Sequence, residues 1–394
     1  MTTTAGTRAN GIAVRTAQRV GNLPSGGLAG LLSGGHTGMV DLATGTPAAP
    51  LPPPVLLDRA CAALLAGVNQ YANPIGDPAL REQIARSLVP QADPGTEITV
   101  TVGATEALTV ALLATVDPGD EVIVFEPFFD NFLGAIALAG GVPRFVPMHA
   151  PDWRFDAAEL AAAFGPRTKA ILLNTPNNPT GHMLDRDELA AIAQLCERWD
   201  ATVVSDEVYA AYTFDGRGHL SVADVPALAH RSIVLGSFSK SHAVSGWRAG
   251  FLRADAVRSR ALRQVHVSVC GGTAAPLQQA IATAGVLDGS DWNPAPHLQK
   301  LRDRAVEIFT GLGIDCGHTD GGCYVMADIS SATDVDSARF ADQLRDKLGV
   351  MVAPGTFFYA DPRNGTRFVR IAFNKSPETL DEAANRLRRF EREL

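Results

Sequence analysis

The 394-residue chain has few cysteines, little excess charge and no long apolar run, and each shortage excludes a class of protein. Its five cysteines lack Cys-x-x-Cys spacing and an accompanying histidine pattern, so we expect no metal site and reduced thiols typical of the cytoplasm. No stretch of 18 apolar residues occurs, which predicts no transmembrane helix. The first residues are rich in threonine and alanine and lack an apolar segment, so we expect no signal peptide.

The charge balance also narrows the class of partner. The net charge is −8 and the pI is about 5.6, which disfavours nucleic acid as a ligand. The composition is 46% hydrophobic and 19% charged, as in globular proteins with a large core. The chain is long enough for one large domain and a smaller one.

From residue 97 onward, short apolar strands alternate with helical segments. The predicted strands are 98–102, 121–125, 170–174, 202–205, 233–237 and 249–252. Such alternation predicts a largely parallel sheet covered by helices on both faces. After about residue 290 long helices separate isolated strands, which predicts a smaller α+β domain. The predicted domains are an N-terminal segment 1–50 that packs with the small domain, a large domain 51–288 and a small domain 289–394.

One lysine stands out from the rest of the chain. Lys240 follows an apolar run, with Ser237 three residues before it and Arg248 eight residues after it. A lysine in such a setting suits a Schiff base beside a bound phosphate, because imine formation needs an amine whose pKa is adjusted by its site. Ser-x-x-Lys also occurs in other enzyme classes and on ordinary surfaces, so the motif is weak by itself.

Polar residues follow two of the other predicted strands. One strand ends at Gly103 and a helix starts at Thr105, with Ala104 between them, and the free N–H groups there favour an anion. An N-capped helix without a ligand is the simpler alternative. Asp206 closes another strand, where a buried carboxylate needs a cation opposite; a protonated ring nitrogen is one candidate and a helix N-cap is the alternative. Open α/β sheets bind ligands at these strand ends.

Four more side chains fit the same chemistry, although each also has a structural explanation. Phe129 could stack on a flat ring or belong to the core. Asn178 and Tyr209 follow strands and could donate hydrogen bonds to an oxygen on that ring. Arg370 lies inside an apolar strand and needs a partner, either a bidentate substrate carboxylate or an acid of the protein.

The order of these motifs resembles the class I aminotransferases of fold type I, which depend on pyridoxal 5′-phosphate. Within them the chain is most similar to the kynurenine aminotransferase, glutamine transaminase K and cysteine-conjugate β-lyase group. The segments that carry this similarity are 69–71, 126–130, 173–179, 205–209 and 276–279. The resemblance implies an α/β fold: a large domain with a mostly parallel seven-stranded sheet sandwiched by helices, plus a smaller α+β domain from the N-terminal segment and the C-terminal part.

The resemblance also implies an activity and a role for each candidate residue. An amino group would move from an L-amino acid to a 2-oxo acid by a ping-pong mechanism through a Schiff base on Lys240, with Asp206 and Tyr209 as the other catalytic residues. The implied cofactor-binding residues are Gly103, Ala104, Thr105, Phe129, Asn178, Asp206, Tyr209, Ser237, Lys240 and Arg248. Tyr71 would reach the phosphate of the neighbouring subunit, which implies a homodimer. The implied substrate-binding residues are Arg370, Asn178 and Gly45.

Several alternatives stay open at this point. A β- or γ-lyase would use the same cofactor and residues, and no motif separates the two outcomes. A regulator built on this fold would carry a DNA-binding module, but the residues before Asp41 are rich in glycine and threonine. No second arginine stands out to read a distal carboxylate, which disfavours a dicarboxylate donor. One group of aromatic residues either lines a side-chain pocket or belongs to the core: Phe128, Phe132, Phe357, Phe358 and Tyr359.

Overall fold

A computed structural model describes residues 8–9, 12–13, 16–21, 23–24, 27, 30, 38–287 and 292–390. Much of the predicted 1–50 segment, the boundary at 288 and the last four residues of the predicted 289–394 domain lie outside these ranges. The division into three parts therefore stays a prediction. None of the helices in the described ranges is both long and apolar enough to cross a membrane.

The strands and helices are numbered in chain order. The strands are β1 Arg8–Ala9, β2 Ile12–Ala13, β3 Val40–Asp41, β4 Ile98–Thr101, β5 Glu121–Glu126, β6 Val142–His149, β7 Arg154–Phe155, β8 Thr168–Asn174, β9 Thr202–Asp206, β10 Ser232–Ser237, β11 Gly250–Ala254, β12 Tyr324–Asp328, β13 Val350–Met351, β14 Ala353–Pro354 and β15 Phe368–Ala372. The helices are α1 Gln18–Gly21, α2 Pro54–Leu65, α3 Pro78–Ser87, α4 Gly103–Thr115, α5 Asn131–Ala139, α6 Ala157–Ala163, α7 Arg186–Trp199, α8 Pro226–Ala229, α9 Phe238–Ser241, α10 Ala256–Val269, α11 Ala275–Thr283, α12 Ala295–Thr310, α13 Ser337–Gln343 and α14 Pro377–Leu387.

The main sheet has the strand order β4-β11-β10-β9-β8-β5-β6-β7. The strands from β10 to β6 pair in parallel, whereas β11 is antiparallel to both of its neighbours. The predicted mostly parallel sheet is therefore confirmed for seven strands. An eighth strand, β7, adds two residues to one edge by antiparallel pairing with β6, and so short a strand has no periodicity that the sequence could reveal.

Helices cover both faces of this sheet, and its central strands are buried throughout. On β5 and β8, Ile123 and Ile171 join one apolar cluster, while Val124 and Leu172 join the cluster on the opposite face. Successive strand residues point to opposite faces, so a strand covered on both sides reads as a continuous apolar run. Such runs made the central strands predictable.

The elements that the sequence analysis missed near this edge of the sheet include α5 and β6. Positions along β6 change between exposed, half-buried and buried, and the strand contains Pro143 and Pro147. Proline lacks the N–H that a sheet ladder needs, so these two residues argue against a strand in the sequence. The last helix of the described chain, α14, ends at Leu387.

A second, antiparallel sheet in the C-terminal part has the order β12-β15-β14. Beside it, β3 pairs in parallel with β13, and the Leu42 carbonyl accepts a hydrogen bond from the Ala372 N–H. These contacts fix residues 40–45 next to β15. The loop that follows β3 thereby comes to lie against the carboxyl edge of the main sheet, where Lys240 Nζ donates to the Gly45 carbonyl.

Candidate active site

A cavity lies at the carboxyl ends of β8, β9 and β10, the position at which open α/β sheets bind ligands. It brings together nine of the predicted site residues. They are Ala104, Thr105, Phe129, Asn178, Asp206, Tyr209, Ser237, Lys240 and Arg248. Gly103, Gly45 and Arg370 contact these residues without lining the cavity, whereas Tyr71 lies elsewhere on the chain.

One end of the cavity can hold an anion. Helix α4 begins there at Gly103, without a side-chain cap, so the N–H groups of its first turn lack partners within the helix. Gly103 has φ +70°, and a Cβ at this position would lie only 2.8 Å from the Arg248 guanidinium. Glycine therefore permits the arginine to approach the helix start. The hydroxyl-bearing residues Ser237 and Ser245 line the same cavity.

Lys240 follows β10 directly and is held in place by neighbouring segments. Its backbone carbonyl accepts a hydrogen bond of 2.5 Å from the Tyr212 hydroxyl, and its Nζ donates to the Gly45 carbonyl at 2.6 Å. Burial lowers the pKa of the Lys240 amine. The positive charges of Arg370, Lys375 and Arg248 act in the same direction, opposed by the nearby thiol of Cys323.

Asp206 ends β9 and is only 7% exposed. Its carboxylate accepts a hydrogen bond of 3.2 Å from the Val208 N–H, and the described residues place no cation in an ion pair with it. Burial raises the pKa of Asp206 to about 7, and the neighbouring Glu207 adds to the effect. A ligand that brings a positive charge to this point would stabilise the ionised carboxylate.

A chain of amides connects Asp206 with Arg370. Asn174 Nδ2 donates to the Asp206 carbonyl at 2.9 Å, and Asn174 Oδ1 accepts from the Asn178 N–H at 2.7 Å. Asn178 Oδ1 in turn accepts from Arg370 Nη1 at 2.9 Å. The side-chain oxygen of Asn178 is therefore occupied, which leaves its NH₂ group to donate elsewhere.

Arg370 is 1% exposed and is sandwiched between two aromatic rings. Its guanidinium carbon lies 4.0 Å from the Tyr324 ring centre and 4.7 Å from that of Phe358. Nη2 donates to the Ala43 carbonyl at 2.6 Å, and Nε has no hydrogen-bond partner among the described residues. The described part of the chain offers Arg370 no carboxylate, so the alternative of an internal ion pair is not what the structure contains.

Close packing around position 45 explains why this residue is a glycine. Its carbonyl accepts hydrogen bonds from Lys240 Nζ and, at 3.0 Å, from Asn374 Nδ2. A Cβ at Gly45 would overlap the Tyr324 hydroxyl. The lack of a side chain thus lets the loop pass between Tyr324 and Lys240.

Two of the predicted site residues are aromatic, Tyr209 and Phe129, and the structure defines the contacts of both. Tyr209 is buried, and this burial, with Tyr324 nearby, raises the pKa of its hydroxyl well above the ordinary value, so that the hydroxyl stays a proton donor. Phe129 lies edge-on to Phe132, with ring centres 5.7 Å apart, and both line the cavity. The core explanation applies to Phe128, with Phe357, Phe358 and Tyr359 buried in or packed against the core.

Tyr71 does not reach the cavity of its own chain. Its side chain is fully exposed and lines a surface groove together with the loop 270–274. A role at the active site therefore requires a second copy of the chain.

Several residues of the site were missed by the sequence analysis. Those that line the cavity are Leu108, Asn131, Phe132 (considered only as one of five aromatics), Asn174, Val208, Ser239, Ser245 and Tyr324. Ser239 and Ser245 lie close in sequence to Lys240 and Arg248, which is a usable signal. Tyr324 and the supporting Tyr212 come from distant segments and carry no local signal.

One group of side chains in the described ranges has the composition of a metal site: Glu106, His266 and Cys270. Its histidine is already engaged at both ring nitrogens, with Glu106 at 2.9 Å and with the Pro74 carbonyl at 2.8 Å. This pattern is that of a protonated histidine between two acceptors. The expectation of no metal stays a prediction.

Comparisons with known proteins agree with the geometry. The profile of the family described as aminotransferase class I and II matches residues 37–387. The chain is 34% identical to the methionine aminotransferase of Escherichia coli over 86% of this chain and 89% of the relative. It is 34% identical to kynurenine–oxoglutarate transaminase 3 of Mus musculus, over 88% and 83% respectively. The solved N-succinyldiaminopimelate aminotransferase of Mycobacterium tuberculosis superposes with a TM-score of 0.89 at 35% identity, covering 95% of this chain and 99% of that one.

The chain therefore belongs to the class I and II aminotransferases. It has the fold of the fold type I enzymes and is a pyridoxal-phosphate-dependent transaminase of the EC 2.6.1 class, acting on an amino acid and a 2-oxo acid. The predicted relationship to the kynurenine aminotransferase group is confirmed.

The raised pKa of Asp206 predicts a pH-dependent stability of the cofactor-free protein. The folded state favours the protonated acid, so the stability that this group contributes is complete below about pH 4 and is lost as pH rises through about 7. We expect Asp206→Asn to stabilise the cofactor-free protein against urea at pH 8, by on the order of 4 kcal/mol at most, and to change little at pH 4.

The control for this measurement is Asp187→Asn, which changes an exposed acid of α7. We expect it to leave the pH dependence of unfolding as it is in the unsubstituted protein. Equal free-energy differences for Asp206→Asn at pH 4 and pH 8 would show that Asp206 ionises normally in the folded state.

Proposed function

We propose that the enzyme transfers the amino group of an L-amino acid with an uncharged side chain to a 2-oxo acid by a ping-pong mechanism, with Lys240 as the residue that binds the cofactor. One observation carries the proposal. Three groups meet in one cavity: a lysine amine whose pKa is lowered by burial, a buried carboxylate that has no counter-ion among the described residues, and a helix start that lacks a side-chain cap and has an arginine beside it. These groups fit the aldehyde, the ring nitrogen and the phosphate of pyridoxal phosphate in turn.

The bound cofactor supplies an electron-withdrawing ring that makes a proton on the substrate Cα acidic. The chain supplies the rest. Lys240 holds the cofactor and moves the proton, because a buried amine of lowered pKa can act as a base near neutral pH. Asp206 would keep the ring nitrogen protonated, Tyr209 and Asn178 would donate hydrogen bonds to the ring oxygen, and Phe129 would pack against the ring.

The two ends of the site hold anions. Gly103, Ala104, Thr105, Ser237 and Arg248 bind the phosphate in this proposal. Arg370 binds the substrate carboxylate with Asn178 and the backbone near Gly45, which is supported by an arginine that is buried without an acidic partner among the described residues.

The proposed donor class follows from the walls of the cavity. In the described ranges its lining includes two cations, Lys240 and Arg248, and both have roles at the cofactor. The other walls include Leu108, Phe132 and Tyr324, which suit methionine, glutamine or an aromatic side chain. Among the relatives, one is named for methionine and another for kynurenine.

The test is a half-reaction without any 2-oxo acid. We expect single additions of uncharged L-amino acids to remove the visible absorbance band of the cofactor-bound enzyme and to release one 2-oxo acid per site. We expect aspartate to act at least tenfold more slowly, because the described lining of the cavity has no further cation to bind its second carboxylate. Lys240→Ala is the control and is expected to lose nearly all turnover.

A lyase would give a different result in the same experiment. Its cofactor band would persist while a 2-oxo acid and ammonia accumulate from a β-substituted substrate. That result, or full activity of Lys240→Ala, would contradict the proposed transaminase mechanism.

We further propose a homodimer in which Tyr71 of one subunit reaches the phosphate site of the other. We also propose a cytoplasmic location, because reduced cysteines are typical of that compartment and all five cysteines are unpaired. The fully exposed Tyr71 supports the homodimer. So do the exposed apolar side chains on and before α2, which need a cover in water: Leu51, Val55, Leu57, Leu64 and Leu65.

Hybrid dimers test the shared site. Tyr71→Phe is expected to weaken cofactor binding about tenfold, because one hydrogen bond to a charged group is lost. A hybrid of one Lys240→Ala chain and one Tyr71→Phe chain should regain one site of normal cofactor affinity, since that site has Lys240 from one chain and Tyr71 from the other. A hybrid with no normal site would show that Tyr71 does not act across subunits.

A further inference from the structure

Lys375 is a buried lysine to which no role above applies. It is 5% exposed, lies between β15 and α14, and does not line the cavity. Its Nζ donates to the Thr44 carbonyl at 2.8 Å and lies 3.5 Å from the Asp41 carboxylate. A buried ion pair adds little stability over apolar residues of the same size, so stability alone does not account for this lysine.

Its contacts belong to a pattern in the loop 43–45. Three successive carbonyls of this loop each accept a hydrogen bond from a different basic side chain, of which Arg370 and Lys375 are buried and Lys240 is half-buried. The first accepts from Arg370 at 2.6 Å, the middle one from Lys375 at 2.8 Å and the last from Lys240 at 2.6 Å. Lys375 thus binds the carbonyl that lies between the one bound by Arg370 and the one bound by Lys240.

Asp41 shapes the same loop from its other side. Its Oδ1 accepts from the Ala43 N–H at 2.8 Å and the Thr44 N–H at 3.0 Å, and its Oδ2 accepts from the Thr44 hydroxyl. Although burial opposes ionisation, Lys375 and these hydrogen bonds lower the pKa of Asp41. The carboxylate therefore stays charged and partly offsets the ammonium of Lys375.

The charge of Lys375 also acts on Lys240. Besides burial, the groups with the largest influence on the Lys240 amine are Cys323, Arg370, Lys375 and Arg248. Burial lowers the pKa of Lys375 and Arg370 acts in the same direction, whereas Asp41 and Cys323 oppose this and favour the charged ammonium. Because a nearby like charge disfavours the protonated amine, removal of Lys375 and removal of Asp41 have opposite electrostatic effects on Lys240.

We propose that Lys375, paired with Asp41, is a positioning residue for the reacting amine: it fixes the 43–45 loop against Lys240 and Arg370 and adds positive charge that favours the neutral amine. This inference rests on the proposed role of Lys240. Charge at position 375 matters in this account, and apolar bulk does not replace it.

The experiment measures the protonation of Lys240 directly. In the cofactor-free protein, the rate at which Lys240 reacts with acetic anhydride is followed against pH by mass spectrometry. Lys375→Met is expected to raise the pH midpoint by about one unit, a tenfold change in proton affinity. Asp41→Asn is expected to lower it, Lys375→Arg to leave it near the original value, and the exposed Lys300→Met to have no effect.

The opposite signs separate charge from loosened packing. A disordered loop would shift the midpoint in the same direction for Lys375→Met and Asp41→Asn, and that outcome or no shift at all would overturn the proposal. If Lys375→Met fails to fold because Asp41 is left unpaired, the double variant Lys375→Met/Asp41→Asn removes both charges and should restore folding with a midpoint near the original.

Cofactor addition distinguishes this inference from the proposed function. The unsubstituted protein should bind pyridoxal phosphate with a visible absorbance band that Lys240→Ala lacks. If that band does not depend on Lys240, the proposed function fails. If the band forms normally but the pH midpoint of Lys240 is unchanged in both the Lys375 and the Asp41 variants, the inference about Lys375 fails and the proposed function stands.

Discussion

The burial of charge without counter-charge is the constraint on which this structure depends. Lys240, Arg370 and Asp206 lie in or beside one cavity, and for none of the three do the described residues provide a salt bridge. An isolated buried ion costs several kcal/mol, so such groups persist only where a rigid frame holds them. The frame here consists of neutral dipoles, chiefly carbonyls of the 43–45 loop and the amides of Asn174 and Asn178. Pyridoxal phosphate and an amino acid carry the complementary charges.

That frame needs two sheets. The parallel strands β8, β9 and β10 end at one edge, which places Asn174, Asp206 and the segment leading to Lys240 side by side. Arg370 comes from β15 and Tyr324 from β12 of the antiparallel sheet. The loop after β3 fills the space between the two sheets and touches a cation from each. Neither sheet alone would assemble both the amine and the carboxylate anchor.

The sequence predicted the part of the site that lies at the strand ends, for a physical reason. Residues such as Asp206 and Ser237 follow apolar runs directly, and parallel strands of one sheet bring their carboxyl ends together whatever their order. Tyr212, Tyr324 and Lys375 meet the site from segments far along the chain. Their side chains have no local pattern, because only tertiary packing decides that a tyrosine hydroxyl reaches the Lys240 carbonyl or that a lysine reaches Thr44.

The strands and helices also divide into those with a local sequence pattern, which were predicted, and those without one, which were missed. The central strands were predicted because burial on both faces makes them continuous apolar runs, whereas β6 was missed because its prolines and mixed burial resemble a loop. Such a strand next to the sheet edge is tolerated because its neighbour β5 is fully buried and packs on both faces of the sheet.

The 43–45 loop contacts both Arg370 and Lys240. Nη2 of Arg370 donates to the first carbonyl of the loop and Nζ of Lys240 to the last, with Lys375 on the peptide between them. A substrate carboxylate would attract the guanidinium more strongly than a neutral carbonyl does, since it carries a full negative charge and can accept two parallel N–H bonds. If Arg370 binds the substrate carboxylate as proposed, that contact would compete with the hydrogen bond from Arg370 to the Ala43 carbonyl, one of those that hold the loop at Lys240. The three consecutive carbonyls of this loop form a short connection between Arg370 and Lys240, and Asp41 and Lys375 hold the middle of the loop in place.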